Sequence, residues 1–178
     1  MTPPQLTEVE ALELLAQHYG LTGQLVTLPG ERDRNFQLYL AGGAKNTFKV
    51  VNAGVHLESL QTEIRAMQHL NSELGSIVPH PLADQAGHFI SQGNLQNGSA
   101  CWLRLQSWQL GIPLAEFRPH TPELFHSVGH LMGQVAASLS TLAVQDPHPE
   151  LPWHPDQASE IIEAGIFRIT DPLLKNFL

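Results

Sequence analysis

The stretch that decides the fold runs from Phe36 to Val51 and reads FQLYLAGGAKNTFKVV. Its two apolar runs, Phe36–Leu40 and Thr47–Val51, have the composition of β-strands. The glycines between them, in Ala41–Ala44, suit the turn of a hairpin. A similar run, Leu25–Leu28, precedes the hairpin. The sequence therefore predicts three consecutive strands in the first third of the chain.

Helical patterns lie on both sides of these strands. Thr7 and Glu10 have the spacing of a capping box at the start of a helix, and Gly20 is a stop signal for it. After the third strand, apolar residues recur at helical spacing, which predicts an amphipathic helix. They are Leu57, Leu60, Ile64, Met67 and Leu70.

The second half of the chain predicts two more strands, His88–Gln92 and Ala100–Trp108. Thr121 as N-cap and Pro122 at the first helical position then open a long helix. A short helix is expected over Asp156–Ala164. The order gives an α+β fold, with a five-strand antiparallel sheet, one inserted helix and a helical region behind it.

The composition excludes several classes of protein. The net charge is −8 over 178 residues, with only nine Lys and Arg, so a nucleic-acid-binding surface or a polybasic membrane surface is not expected. No apolar run is long enough to span a membrane. The N-terminus has no signal-peptide pattern, which favours a cytoplasmic protein. Cys101 is the single cysteine and is expected to be an inert core residue.

Several segments resemble the hydroxylysine kinase-like branch of the aminoglycoside phosphotransferases. Leu28–Phe36, LPGERDRNF, is similar to its turn L-x-S/G-E-R-D-x-N-F, and Phe48–Asn52, FKVVN, to its strand V/F-L-K-I-x-N. Trp102–Leu114, WLRLQSWQLGIPL, is similar to its fifth strand and hinge. Gly129–Leu139 and His148–Asp156 resemble two later segments, the second with a histidine where the family has aspartate. The resemblance implies a protein-kinase-like N-lobe over residues 1–110 and the first helices of a helical C-lobe over 111–178.

The resemblance also implies a nucleotide site. Lys49 would hold phosphates and Glu63, 14 residues later, would be its acidic partner. The turn from Gly30 to Asn35 would cover the phosphates, although Asp33 would repel them unless it points away. The hinge at Gln106, Ser107 and Trp108 would hold adenine. A simpler interpretation makes Lys49 an edge-strand charge, Glu63 a solvated helix residue and the turn an ordinary hairpin.

The catalytic part of this family's pattern is missing. The family has an H-x-D-x-x-x-x-N loop and a later metal-binding aspartate, whereas the nearest string here, His154-Pro155-Asp156, has Ile161 five positions on. No catalytic residue and no metal ligand is therefore assigned, and His126 and His130 are expected to be surface or packing residues.

We accordingly expect a fragment of a longer parent protein, inactive by itself. ATP and Mg²⁺ would be used by the parent to phosphorylate a hydroxyl of an amino-containing metabolite, which the missing C-lobe would bind. This branch also occurs fused to class III aminotransferases, in which case pyridoxal phosphate would belong to that other domain. The alternative is a non-catalytic kinase-like module that binds a nucleotide, docks a neighbouring domain or dimerises through an exposed apolar face.

Overall fold

The computed structural model describes residues 2–143 and 158–168. They fall into two compact units that divide between Val144 and Gln145. The helices of the first unit are α1 (Glu8–Tyr19), α2 (Leu57–Leu74) and α3 (Pro122–Leu139). Its strands are β1 (Gln24–Leu28), β2 (Arg34–Tyr39), β3 (Lys45–Asn52), β4 (Pro81–Leu82), β5 (Ser91–Asn94) and β6 (Ala100–Ser107). In the second unit, α4 (Ala158–Gly165) leads into a 3₁₀ turn, Ile166–Arg168.

The strands form one antiparallel sheet in which β6 is the central element. The path runs β1-β2-β3-β6, and β4 and β5 both pair with β6 along its other side. The predicted antiparallel sheet with an inserted helix is confirmed, but it has six strands in the described residues rather than five. The additional strand β4 begins at Pro81 and lies at the edge of the sheet, a position where proline is tolerated.

The fourth predicted strand starts later than expected. The Asp84 carboxylate accepts hydrogen bonds from the backbone N–H groups of Ala86 and His88, at 2.9 and 2.8 Å, and so holds residues 84–88 in a turn. Strand pairing begins only at Ser91. The prediction of His88–Gln92 is therefore wrong at its N-terminal end, because a side-chain-stabilised turn replaces the extended backbone.

The main core lies between α1 and one face of the sheet. Tyr19 of α1 meets the Phe48 ring edge-on, with the ring centroids 6.0 Å apart, and Phe36 stacks on Phe48 at 6.4 Å. Burial raises the pKa of Tyr19 to about 12. The helix ends at Gly20, whose φ of 65° is the left-handed conformation that glycine adopts readily. The fully buried members of this core include Ala11, Leu15, Phe36, Leu38, Phe48, Val50, Cys101 and Leu103.

The helix N-termini follow the predicted caps with one difference. Thr121 Oγ1 accepts from the Leu124 N–H at 3.3 Å, and Thr7 Oγ1 accepts from the Glu10 N–H at 3.2 Å. Glu10 does not return a bond to Thr7, because its carboxylate accepts the backbone N–H of Gln96 at 2.5 Å. Half of the predicted capping box therefore serves instead to fasten α1 to the β5–β6 turn.

The second helix, α2, packs on the opposite face of the sheet through the buried Leu60 and Ile64. Next to it runs α3, where the Ser138 carbonyl lies 2.9 Å from His69 Nε2 of α2. Within residues 2–143 and 158–168, no helix combines the length and apolar character that crossing a bilayer demands.

Candidate nucleotide site

A row of polar side chains crosses the middle of the sheet on its α2 side. Asn35 of β2 is the register partner of Lys49 of β3, and Lys49 is in turn the partner of Arg104 of β6. Directly opposed residues in an antiparallel sheet project to the same face. Phe48 and Val50, which flank Lys49, are fully buried in the α1 core. Lys49 and its two partners therefore lie on the other face.

The ammonium group of Lys49 is paired with the turn that precedes β2. Its Nζ atom lies 3.2 Å from Asp33 Oδ2, and the Lys49 side chain is 23% exposed. The sequence suggested that Asp33 would repel phosphate unless it pointed away. The structure instead turns this carboxylate onto Lys49, where it neutralises the charge that a phosphate oxygen would contact.

Glu63 is bound to Arg104 rather than to Lys49. Arg104 Nη1 donates to Glu63 Oε2 at 2.6 Å, with Arg104 only 3% exposed and the Glu63 side chain 55% exposed. The implied Lys49–Glu63 pair is thus replaced by two separate pairs. A buried guanidinium loses more by lacking an anion than a partly hydrated ammonium does, which is consistent with Glu63 pairing with Arg104 rather than with Lys49.

The turn between β1 and β2 is closed by its own residues. Asn35 Nδ2 donates to the Pro29 carbonyl at 3.2 Å. A Cβ atom added to Gly30 would overlap the carbonyl oxygen of Asp33 and lie 2.8 Å from Asn35 Nδ2. The absence of a side chain at Gly30 is therefore what lets the turn bring Asp33 over Lys49.

Two atoms of the polar row have unused hydrogen-bonding capacity. Asn35 Oδ1 and Arg104 Nε are buried, and neither has a partner among the described residues. Together they offer one acceptor and one donor, the second of which carries positive charge. This leaves the row able to accept further polar contacts beside Lys49.

The segment predicted as a hinge follows β6 directly. Ser107 is fully engaged with His80, since its N–H donates to the His80 carbonyl at 3.0 Å and its Oγ accepts the His80 N–H at 3.0 Å. The Trp108 N–H donates to the Lys45 carbonyl at 3.4 Å. The next amide, that of Gln109, has no hydrogen bond to any other residue in the described part of the chain. The Gln109 N–H is therefore a donor without a partner among the described residues, directly after the three residues predicted as the hinge.

A cavity of about 190 Å³ lies beside this hinge. Thr47 and Gln106, which line the cavity, are register partners. They lie two residues along their strands from Lys49 and Arg104 and project to the same face. Two residues of strand span about 7 Å. The cavity and the ammonium group are therefore neighbours on one surface. The full lining is Thr47, Pro79, Gln106, Ser107, Trp108 and Gln109.

A larger cavity, of about 480 Å³, lies between α2 and the chain before β5. Leu57 of α2, Phe89 and Trp102 are among its walls, and none of the predicted site residues lines it. The predicted residues thus gather at the smaller cavity and the row next to it.

The groups with shifted pKa values lie outside the polar row. Burial raises the pKa of the Cys101 thiol to about 11, as suits a core residue. Burial also opposes ionisation of Asp84, but the hydrogen bonds from Ser91, His88 and Ala86 outweigh it and lower the pKa of that carboxyl. Neither group faces Lys49.

Sequence reasoning did not assign a role to Arg104. The available signal was its position between Leu103 and Leu105 on an apolar strand, the same argument that singled out Lys49. The pairing of Asp33 with Lys49 carried no comparable signal, because it depends on how the turn folds back.

Comparison with known proteins gives a likeness of fold. No protein-family model matches the sequence, and no curated protein sequence matches it either. Among solved structures, the amicoumacin kinase hAmiN in complex with AMP-PNP, Ca²⁺ and Ami is similar, with a TM-score of 0.70 and 18% identity. The alignment covers 97% of this chain and 54% of that one.

A second solved structure, the microcompartment-associated aminopropanol kinase, is similar with a TM-score of 0.65 and 12% identity, over 88% of this chain and 48% of that one. The chain therefore spans about half the length of these kinases. At such identities the likeness establishes the fold alone. The protein has a mixed α/β fold with an antiparallel sheet, of the kind found in kinase-like N-lobes.

Proposed function

We propose that this chain is the nucleotide-binding portion of an ATP-dependent small-molecule phosphotransferase. The observation that carries the proposal is the arrangement on one face of the sheet. The cavity beside the hinge segment, where the Gln109 N–H has no partner in the described part of the chain, lies two residues along β3 from Lys49. A nucleotide needs a cavity with a backbone donor for its base and a cation for its phosphates, and the spacing of about 7 Å along the strand suits the two.

In this proposal Lys49 binds phosphate oxygens and displaces Asp33 to do so. Gly30 and Asn35 hold the turn that covers the phosphates. Gln106, Ser107 and Trp108 form the wall against adenine, and the Gln109 N–H donates to the edge of the base. A lysine ammonium is a compact charge suited to bridging phosphate groups. Glu63 contributes through its contact with Arg104.

Magnesium would accompany the phosphates, and we assign it no ligand in this chain. The amicoumacin kinase carries AMP-PNP and Ca²⁺, which supports a nucleotide and a divalent cation as the partners of such a fold. The acceptor would be a hydroxyl of an amino-containing metabolite, bound by parts of the kinase fold beyond this chain. The cytoplasm is the proposed location, because ATP is plentiful there.

The test is a titration of the ¹⁵N-labelled chain with ADP and, separately, with adenosine, in which binding is monitored by changes in the NMR chemical shifts. Lys49→Met should weaken ADP binding by about ten- to a hundredfold, the effect of losing a charge-assisted bond, and leave adenosine binding unchanged. Lys45→Met is the matched control. Lys45 is on the same strand and face, but its ammonium lies over the Tyr39 ring at 4.8 Å. Equal ADP affinities for the two variants would contradict the proposal.

A second candidate function is a docking module without phosphotransfer. It is favoured by apolar side chains that stand exposed after β6 and along α3, namely Leu110, Ile112, Phe125 and Met132. Self-association in sedimentation velocity that Leu110→Ser and Ile112→Ser together abolish would support it. A monomer that binds ADP would favour the first function. The pyridoxal phosphate expectation concerns a fused aminotransferase and assigns no residue here.

A further inference from the structure

The buried guanidinium of Arg104 is an unusual group to find in the middle of this sheet. It is flanked on its own strand by Leu103 and Leu105, both buried in the α1 core, while its side chain projects to the opposite face beside Lys49. The two cationic residues are direct cross-strand partners, an arrangement that is unfavourable by itself. Something must offset their repulsion.

The Glu63 carboxylate offsets it only in part. It receives one hydrogen bond from Nη1, whereas Arg104 Nε has no partner in the described residues. More than half of the Glu63 side chain is exposed, so water competes for the same carboxylate. Replacing a buried ion pair as a whole by apolar side chains of similar size is often neutral or stabilising. The Arg104–Glu63 pair is therefore weak evidence that arginine serves stability alone at this position.

Each of the two cations in the polar row is paired with one carboxylate. Lys49 and Arg104 are matched by Asp33 and Glu63. When a phosphate takes the place of Asp33 on Lys49, the incoming group brings more than one negative charge. A second cation on the adjacent strand then stabilises the additional charge, and its burial reduces screening by solvent.

We propose that Arg104 is the second cation of the phosphate site and a positioning residue for Lys49, so that the site favours nucleoside di- and triphosphates over uncharged nucleosides. Glu63 acts through it, because the Glu63 carboxylate fixes the guanidinium beside Lys49. Arg104 in return binds the Glu63 carboxylate, so that this carboxylate does not pair with Lys49. The Lys49 ammonium group then contacts Asp33 of the turn or, in its place, a phosphate. This role rests on the proposed nucleotide-binding function.

The experiment compares ADP and adenosine affinities of the wild-type chain with those of Arg104→Met, Arg104→Lys and Arg65→Met. Arg104→Met should lower the ADP affinity by about tenfold, the effect of removing one charge near the phosphates, while adenosine binds as before. Arg104→Lys should recover most of the loss because it restores the charge. Arg65, exposed on the same helix as Glu63 and bonded to Thr62, controls for net charge and should leave both affinities unchanged.

The folded state of each variant is checked by circular dichroism. Arg104→Met leaves Glu63 in contact with water, so no buried charge is stranded. An Arg104→Met chain that discriminates ADP from adenosine as well as the wild type does would overturn the inference. So would equal losses for both ligands, which indicate a purely structural role. If the wild-type chain binds neither ligand, the nucleotide site itself is refuted and this role of Arg104 with it.

Discussion

The substitution Gly30→Ala tests how the turn over Lys49 is built. An alanine Cβ at this position would overlap the Asp33 carbonyl oxygen, and a backbone atom cannot rotate away as a side chain can. The turn must therefore open. Opening it breaks the Asn35–Pro29 hydrogen bond, worth about 1 kcal/mol. It also separates Asp33 from Lys49, a partly exposed pair worth less than about 1 kcal/mol.

We expect Gly30→Ala to lose between about 1 and 2 kcal/mol of stability, which corresponds to a fall in Tm of about 3 to 6 °C for a unit of this size. Urea denaturation followed by tryptophan fluorescence measures it. Gly42→Ala is the matched control, because Gly42 lies in the β2–β3 turn and its added Cβ would meet no atom within 4 Å. The reasoning is refuted if the two variants have the same urea midpoint, since the close approach at Gly30 would then carry no energy.

Two further predictions concern groups with shifted pKa values. Burial raises the pKa of Cys101 from 9.0 to about 11, so its thiol should resist a disulfide reagent at pH 8 until urea unfolds the chain. The contribution of the protonated thiol to stability is complete below pH 9 and is lost as the pH rises towards 11. The urea midpoint of Cys101→Ala should therefore change less with pH over that interval than the midpoint of the wild type does. A thiol that reacts at once in the folded protein would count against its burial. Asp84→Ala should cost about 2 kcal/mol at pH 7, where the carboxylate accepts bonds from Ala86, His88 and Ser91. Because the folded pKa of Asp84 lies below 3.8, its contribution persists above that pH and is lost as the pH falls through the lower value, so the two chains should converge in acid. A constant difference down to pH 2 would contradict this assignment.

The local elements of the fold could be predicted because their signals are local. The hairpin of β2 and β3, the two N-cap threonines and the spacing of apolar residues in α2 all reside in short stretches of sequence. The strand β4 could not be predicted in the same way. Its two residues have no pattern of their own and become a strand only by pairing with Leu105 and Gln106 of β6.

In the candidate site too, the residues with a local signal could be predicted and those defined by long-range pairing could not. Lys49 stands out from its neighbours because a charge on an apolar strand is conspicuous in the sequence. The partner of Glu63 could not be read from the sequence, since the choice between Lys49 and Arg104 depends on the register of two strands that are 55 residues apart. The involvement of Asp33 depends on the path of a turn that only Gly30 permits.

The central place of β6 has a consequence for how the chain folds as it is synthesised. The strands β1, β2 and β3 are consecutive, so they can pair as soon as they leave the ribosome. Both β4 and β5 pair with β6, and β3 pairs with β6 along the edge that β2 does not cover. Until residues 100–107 emerge, the nascent sheet presents the open edge of β3. Once β6 is synthesised, it covers the edge of β3 and pairs with β4 and β5. A translational pause just before residue 100 would therefore prolong the time during which these unpaired strand edges are open to aggregation.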